Sequence, residues 1–446
     1  MTEIWGLSVR QRRILSLAWP AILEMILYTM VGIVDTAMVG QLGAVPLAAV
    51  GLSSQLYFST IFILEGIGIG ATALVIRHVG AGEAEKAGRL AGQIILLTAL
   101  VGLAVTLITV FGAELIIRAF RLEADAARIS VAYLRTVGLT AGFMLVLFTA
   151  NNLLRGAGDT RTPMYIAAMT NLIIIIGDYV LIFGKFGFPA WGATGAAVAT
   201  AGAQLVGCGL VLWVLFSGRF CLILKKEFLT RLNPGAIRCI IRIGLPAGME
   251  EAVYSFGAMV SSYLLVQLGT VAFAAHQVTT RIESLSFMPG YGFAIAAGTL
   301  VGQNLGAGRP DEAEKNAWET AKLATLLMSG FSLLFLLVPD WLVAGFTKEP
   351  AVTALSRVCI QIAAFEQPSL ALAMVLGGAL RGAGATRTVM LVSAFGVWLF
   401  RLPLFYLIVK VLRLGLVFVW LVTVTDWLIR AGLLGWLIKR GGWRLS

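Results

Sequence analysis

The sequence predicts an all-α membrane protein of twelve transmembrane helices in two pseudo-symmetric six-helix lobes, on three observations. The 446 residues are 59% hydrophobic and 13% charged, with a mean hydropathy of +0.90, a makeup that excludes an ordinary soluble globular chain. Apolar runs of about 20 residues or more recur along the whole length, each long enough to cross a hydrocarbon core of roughly 30 Å. Four separated stretches also return at a single shift of 226 residues, the mark of an internal repeat. The runs lack the two-residue alternation of barrel strands, so they read as helices.

The spans fall at residues 14–40, 46–76, 90–117, 130–154, 163–184, 193–217, 241–266, 271–302, 320–339, 356–380, 388–409 and 414–438. With the N-terminus inside, 22 Lys and Arg lie on the inner side and 8 on the outer, which places both termini in the cytoplasm of a multi-pass protein of the inner membrane. Arg118, Arg121 and Arg128 in the third loop run against that trend. The first apolar run passes signal-peptide length without a small-residue cleavage site, so it reads as a retained first helix. The net charge of +11 is spread over short loops, which fits membrane topology and not a nucleic-acid face. Cys208, Cys221, Cys239 and Cys359 show no metal or redox spacing and read as packing thiols.

The repeat needs no gaps. Pro20-Ala21 with Glu24 returns as Pro246-Ala247 with Glu250, and Gln41-Leu42-Gly43 as Gln267-Leu268-Gly269. Gly80-Ala81-Gly82 returns as Gly306-Ala307-Gly308. Leu154-Arg155-Gly156-Ala157-Gly158-Asp159-Thr160-Arg161-Thr162 is echoed from Leu380 to Thr388. Six spans per repeat give two halves of equal orientation, a first lobe over 1–217, a cytoplasmic linker over 218–240 and a second lobe over 241–446. Parallel repeats of this kind typify secondary transporters that open to each side in turn. The two Gly-Ala-Gly loops, followed by charged residues, read as short amphipathic surface helices. No Gly-x-x-x-x-Gly-Lys-Ser/Thr pattern supports nucleotide-driven transport.

Ionised side chains at mid-bilayer cost about 2.5–3.5 kcal/mol on insertion scales, so each needs a partner or a purpose. Asp35 in the first span and Asp178 in the fifth lie at similar depth, and their repeat counterparts are Ser261 and Leu404. Acids at matched depth in one lobe alone suggest proton uptake and release there, since neighbouring buried carboxylates bring protonation into the working range. The structural alternative is hydrogen bonding to Asn151, Asn152 or Asn171. Asn171 shares a helix face with Asp178. Asp426 and Arg430, four apart, read as a structural ion pair. Glu24, Tyr28, Met30, Glu250, Glu251, Glu283 and Met288 are candidates to line a substrate cavity. For the glutamates the competing role is structural hydrogen bonding, and for methionine it is packing. Glu65 belongs to the same ambiguous group.

The run Ala275-His276, Arg281-Ile282-Glu283-Ser284-Leu285-Ser286-Phe287-Met288-Pro289-Gly290, Leu300-Val301-Gly302-Gln303-Asn304-Leu305-Gly306-Ala307-Gly308 resembles the eighth helix of the MATE (multidrug and toxic compound extrusion) family. The stretches 154–163 and 195–200 resemble it as well, and the likeness, closest to the bacterial DinF-like branch, covers essentially the whole chain. It implies the MATE/MOP-type fold of two six-helix lobes and cation-coupled export of amphipathic, cationic drug-like molecules by a monomer, with H+ or Na+ as coupling ion. No cofactor, metal or catalytic residue is implied. In that family the first-lobe cation site combines residues matched here by Asp35, Asn151, Asp178 and Thr200, to which Asn171 is added as a cation-coupling candidate only for sharing a face with Asp178. The family's usual Asn four residues before the fifth-helix Asp is Ile174 here, so one neutral oxygen ligand is missing and a proton suits the site better than sodium. A second-lobe site, placed by some members on helices 7 and 10, has only Glu250 and Glu251 and then Glu366 and Gln367 to draw on. The rival reading is a flippase for lipid-linked or other amphipathic lipids, which would want a more cationic cavity. A membrane enzyme finds no His-Glu-x-x-His, Asp-Asp-x-x-Asp or nucleophile-elbow pattern.

Overall fold

The computed structural model describes residues 8–218, 222, 224–229 and 233–445. All the regular secondary structure among those residues is helical. The long helices are α1 (Val9–Gly40), α2 (Ala44–Gly80), α3 (Ala84–Arg118), α4 (Ala124–Gly138), α5 (Ala141–Ala157), α6 (Arg161–Phe183), α7 (Ala193–Phe216), α8 (Pro234–Val266), α9 (Thr270–Gly306) and α10 (Pro310–Leu337). After the short α11 (Pro339–Ala344) come α12 (Pro350–Gly382), α13 (Thr386–Ala394), a π-helical segment (Phe395–Arg401), α14 (Leu402–Tyr406), a second π-helical segment (Leu407–Val411) and α15 (Leu416–Arg440). Ten spans among the described residues are long and apolar enough to cross a membrane, with Thr386–Val411 counted as one. The pair α4 and α5, bent by 50°, makes an eleventh. The remaining expected span forms as α8, which carries Arg238, Arg242, Glu250 and Glu251 along its length.

Two expectations are corrected. The Gly-Ala-Gly loops are not surface helices: Gly82 and Gly308 adopt φ of 75° and 70°, a left-handed turn that a residue without Cβ makes at little cost. The charged residues after each turn are simply the first turns of α3 and α10. Of the cysteines, Cys208 and Cys359 are buried but Cys239 is exposed, so it is not a packing thiol; Cys221 lies outside the described residues.

The chain forms two compact units, one of Leu23–Gly244 and one of Met1–Ile22 with Leu245–Ser446. The division therefore falls inside α1 and inside α8 and not in the loops. In the second unit Ile14, Leu17, Ala18 and Ile22 belong to a core with Phe293, Leu300 and Ala297 of α9 and Leu376 and Leu380 of α12. In the first unit Ile240 joins a core with Ile94, Leu147, Leu153 and Val211.

Small residues set the helix approaches, as they must where lipid removes the hydrophobic incentive between helices and close van der Waals contact replaces it. A Cβ on Gly298 would stand 2.9 Å from the Gly378 carbonyl, and one on Gly382 would strike the Gly298 backbone; α9 and α12 thus cross nearly backbone to backbone. Gly102 and Gly142 do the same for α3 and α5, where an added Cβ would stand 2.6 Å from the facing Cα. Enlarging Gly298 to Leu is expected to cost roughly 1–3 kcal/mol or more from overpacking alone, visible as a lower thermal midpoint in detergent; the same change at Gly209, which has open space around it, should leave the midpoint unmoved.

Candidate cation-coupling site

The unit Leu23–Gly244 brings two of the predicted residues face to face. The carboxyl groups of Asp35 on α1 and Asp178 on α6 lie within hydrogen-bonding reach of each other. Asp178 is fully buried, and neither of its oxygens, nor Oδ1 of Asp35, receives a donor from the rest of the protein. Two ionised carboxylates cannot share such a place; either a proton or another cation must sit between them. Buried Tyr133 on α4 lies close enough to feel both charges, while its hydroxyl accepts a hydrogen bond from Ser54 at 3.0 Å.

The other candidates are not brought to the acids by any hydrogen bond. Asn171 donates from Nδ2 to the Leu27 carbonyl at 2.7 Å, tying α6 to α1 about two turns from the pair. Asn151 is buried with neither amide atom in an aligned hydrogen bond, and it stands beside the Tyr28 hydroxyl. Thr200 is buried on α7 next to Ala199, whose Cβ would be 2.8 Å from a Cβ on Gly177; this close contact brings α7 up to α6 one residue from Asp178. The structural alternative in which Asn151, Asn152 or Asn171 satisfies the aspartates is not what the structure shows.

Sequence reasoning left Glu24 and Glu250 undecided, and each has a definite partner. Arg155 grips Glu24 with Nη2 at 2.5 Å and Nε at 3.2 Å, and reaches Asn152 Oδ1 with Nη1 at 2.8 Å. Asn152 then donates to Glu65 at 3.1 Å. In the other unit Arg381 Nη1 lies 3.0 and 3.2 Å from the two oxygens of Glu250, which also accepts from Ser393 at 3.0 Å. These are repeat images of one ion pair, Glu24 with Arg155 and Glu250 with Arg381. The sequence carried the signal, since all four residues lie in matched motifs, but nothing in the spacing joined the first helix to the fourth.

Of the remaining cavity candidates, Tyr28 packs edge-on against Phe148, with ring centroids 6.0 Å apart, and Phe148 stacks on Phe62 at 6.2 Å. Phe62 stacks in turn on Phe58 at 6.0 Å. Phe58, Phe62 and Phe148 form an aromatic run that the sequence did not single out. Met30 is exposed, while Met288, Glu251 and Glu283 are partly buried. Asp426 and Arg430 pair as expected, at 2.6 and 2.8 Å.

The MatE family profile matches residues 20–180 and 246–407, two stretches whose starts are offset by the repeat shift. The chain belongs to the MATE family, whose members are membrane transporters. It is 32% identical over 442 residues to a probable multidrug resistance protein NorM of Thermotoga maritima, covering 97% of this chain and 93% of that one. It is 28% identical to the multidrug resistance protein PmpM of Pseudomonas aeruginosa, over 90% and 85% of the two chains. Among solved structures, a MOP-superfamily transporter from Pyrococcus furiosus, described by the reverse polarity of its binding pocket, superposes with a TM-score of 0.90 at 20% identity over 98% of this chain and 97% of that one. An outward-facing multidrug resistance MATE transporter superposes with a TM-score of 0.89 over 97% of each chain. The fold of this MATE transporter is thus the one its sequence predicts.

Breaking a buried pair by removing one partner strands the other charge and costs roughly 3–5 kcal/mol. Arg155→Gln is therefore expected to destabilise the protein strongly, and Glu24→Gln/Arg155→Gln, which removes both charges, much less. Thermal denaturation of the two variants in detergent checks this; equal losses would mean the pair is not what holds α1 to α5.

Proposed function

We propose that this transporter is a proton-coupled multidrug antiporter that exports amphipathic, cationic small molecules across the cytoplasmic membrane, working as a monomer with both termini on the cytoplasmic side. The observation that carries the reading is the facing carboxyl pair Asp35–Asp178, buried without donors from the protein. One proton turns the pair from two repelling acceptors into a donor and an acceptor, so loading and unloading that proton changes the force between α1 and α6. A site of this kind couples a proton to a helix rearrangement without any other ligand. Sodium would want several oxygens, and Ile174 offers none where a further amide would serve. The names of the relatives, multidrug resistance proteins NorM and PmpM, support the substrate class, and the aromatic run of Phe58, Phe62 and Phe148 suits the faces of cationic aromatic compounds.

Reconstituted in liposomes, the wild type should extrude an ethidium-like cation when a pH gradient is imposed and stay idle under a sodium gradient alone. Asp35→Asn and Asp178→Asn should each slow that flux at least tenfold. Wild-type flux in Asp35→Asn would sink the assignment, and flux driven by sodium alone would replace the proton as coupling ion.

A further inference from the structure

From Gly218 to Arg242 the chain carries six basic residues, Arg219, Lys225, Lys226, Arg231, Arg238 and Arg242, against the single acid Glu227. The last two basic residues lie on the opening turns of α8. Those turns are anchored within the unit Leu23–Gly244. Asn233 Oδ1 accepts the backbone N–H groups of Gly235 and Ala236 at 2.9 and 3.3 Å, capping the helix, and Gln93 of α3 accepts the Asn233 N–H at 2.8 Å. Ile240 joins the core, and a Cβ on Gly244 would stand 2.5 Å from the Ile67 carbonyl of α2. With Ile240 and Gly244 fixed inward, helical spacing turns the arginines outward.

The outward face is an open groove of about 920 Å³ lined by Pro234, Ile237, Arg238, Ile241 and Arg242. Arg238, Ile241 and Arg242 are exposed, and neither guanidinium meets a carboxylate or another hydrogen-bond partner among the described residues. Like charges four apart on a helix repel each other, so an anion held between them stabilises both. The other half of the repeat supplies its anions from the protein. At the start of α1, Arg10 pairs with Glu312 at 2.6 Å and Gln11 donates to Glu319 at 2.7 Å. At the shift of 226 those two acids of α10 correspond to Lys86 and Gln93 of α3. The start of α8 therefore faces a cation and an amide where the start of α1 faces two carboxylates.

We infer that the start of α8 binds an anionic phospholipid, whose phosphate bridges Arg238 and Arg242 and whose acyl chain lies along Ile237 and Ile241. Guanidinium groups bind phosphate oxygens through paired N–H donors, and basic clusters beside a membrane span attract anionic headgroups. The chain covers apolar surface that water otherwise meets at Ile237 and Ile241. A nucleic acid or an acidic protein would use the two charges and leave the isoleucines bare; a lipid at the end of a membrane span uses both. The site is separate from the Asp35–Asp178 pair and does not depend on which ion drives transport.

Native mass spectrometry of the full-length protein, titrated in detergent with dioleoyl phosphatidylglycerol or with zwitterionic dioleoyl phosphatidylcholine, reads bound lipid and half-saturating concentration without transport. The wild type should retain phosphatidylglycerol in preference to phosphatidylcholine. Arg238→Gln/Arg242→Gln should raise the half-saturating phosphatidylglycerol concentration roughly tenfold or more, the scale on which basic residues at a membrane surface contribute, and Arg238→Lys/Arg242→Lys should keep most of the binding. Ile237→Ser/Ile241→Ser should weaken it too, and glycerol 3-phosphate, which has the phosphate without the chains, should not displace the lipid. Equal retention of the two lipids, unchanged binding in the Gln or the Ser variant, or displacement by glycerol 3-phosphate each overturns the inference. So does an equal loss in Arg161→Gln/Arg387→Gln, which removes the same charge from two other exposed positions. Thermal midpoints in detergent should match the wild type in every variant, which separates lost lipid from lost fold.

Discussion

The cost of a bare charge in an apolar interior governs this molecule. Three guanidiniums within the helix bundles sit against buried carboxylates: Arg155 on Glu24, Arg381 on Glu250, Arg430 on Asp426. The first two pairs join helices far apart in sequence, α1 to α5 and α8 to α12, so they constrain how the first and fourth spans of each repeat pack, while Arg430 and Asp426 lie one turn apart on α15. Asp35 and Asp178 lack such a partner and have only each other.

Duplication explains why ion pairs and acid pairs are distributed so differently. The pairs Glu24–Arg155 and Glu250–Arg381 are copies and serve the same structural end in both units. The acid pairs are not copies. At the shift of 226, Asp35 and Asp178 correspond to Ser261 and Leu404, and Glu283 and Glu366, which lie within hydrogen-bonding reach of each other, correspond to Tyr57 and Thr140. Each unit has kept the shared scaffold and placed its surplus charge on a different set of helices.

Much of this was legible in the sequence. Hydropathy placed the spans to within several residues because the bilayer imposes both length and composition, and the ungapped repeat located matching turns and matching ion-pair residues. The Asp35–Asp178 pair could be anticipated because both residues sit at one depth on helices running the same way. What pattern could not give was anything fixed by approach between distant helices. The corner between α4 and α5 depends on Gly138 fitting against Thr109 and Gly142 against Gly102. Glu283 and Glu366 are 83 residues apart with no charged image in the other half to flag them. The packing of Ile14 to Ile22 with the later half of the chain likewise follows from side-chain shape at α9 and α12, which hydropathy does not encode.

The π-helical segment between Phe395 and Arg401 amounts to one residue inserted into a helix without breaking it. In an α-helix each residue turns the chain by roughly 100°, so that insertion fixes the azimuth of everything after it relative to everything before. Near its start stands Gly396, where any side chain would strike Asp426 and Arg430, and its last residue, Arg401, comes onto the same carboxylate. Span length tolerates the loss of a residue here; orientation does not. Deleting any single residue of the segment would rotate one flank out of phase with the other, separating the glycine cradle from the arginine that closes it.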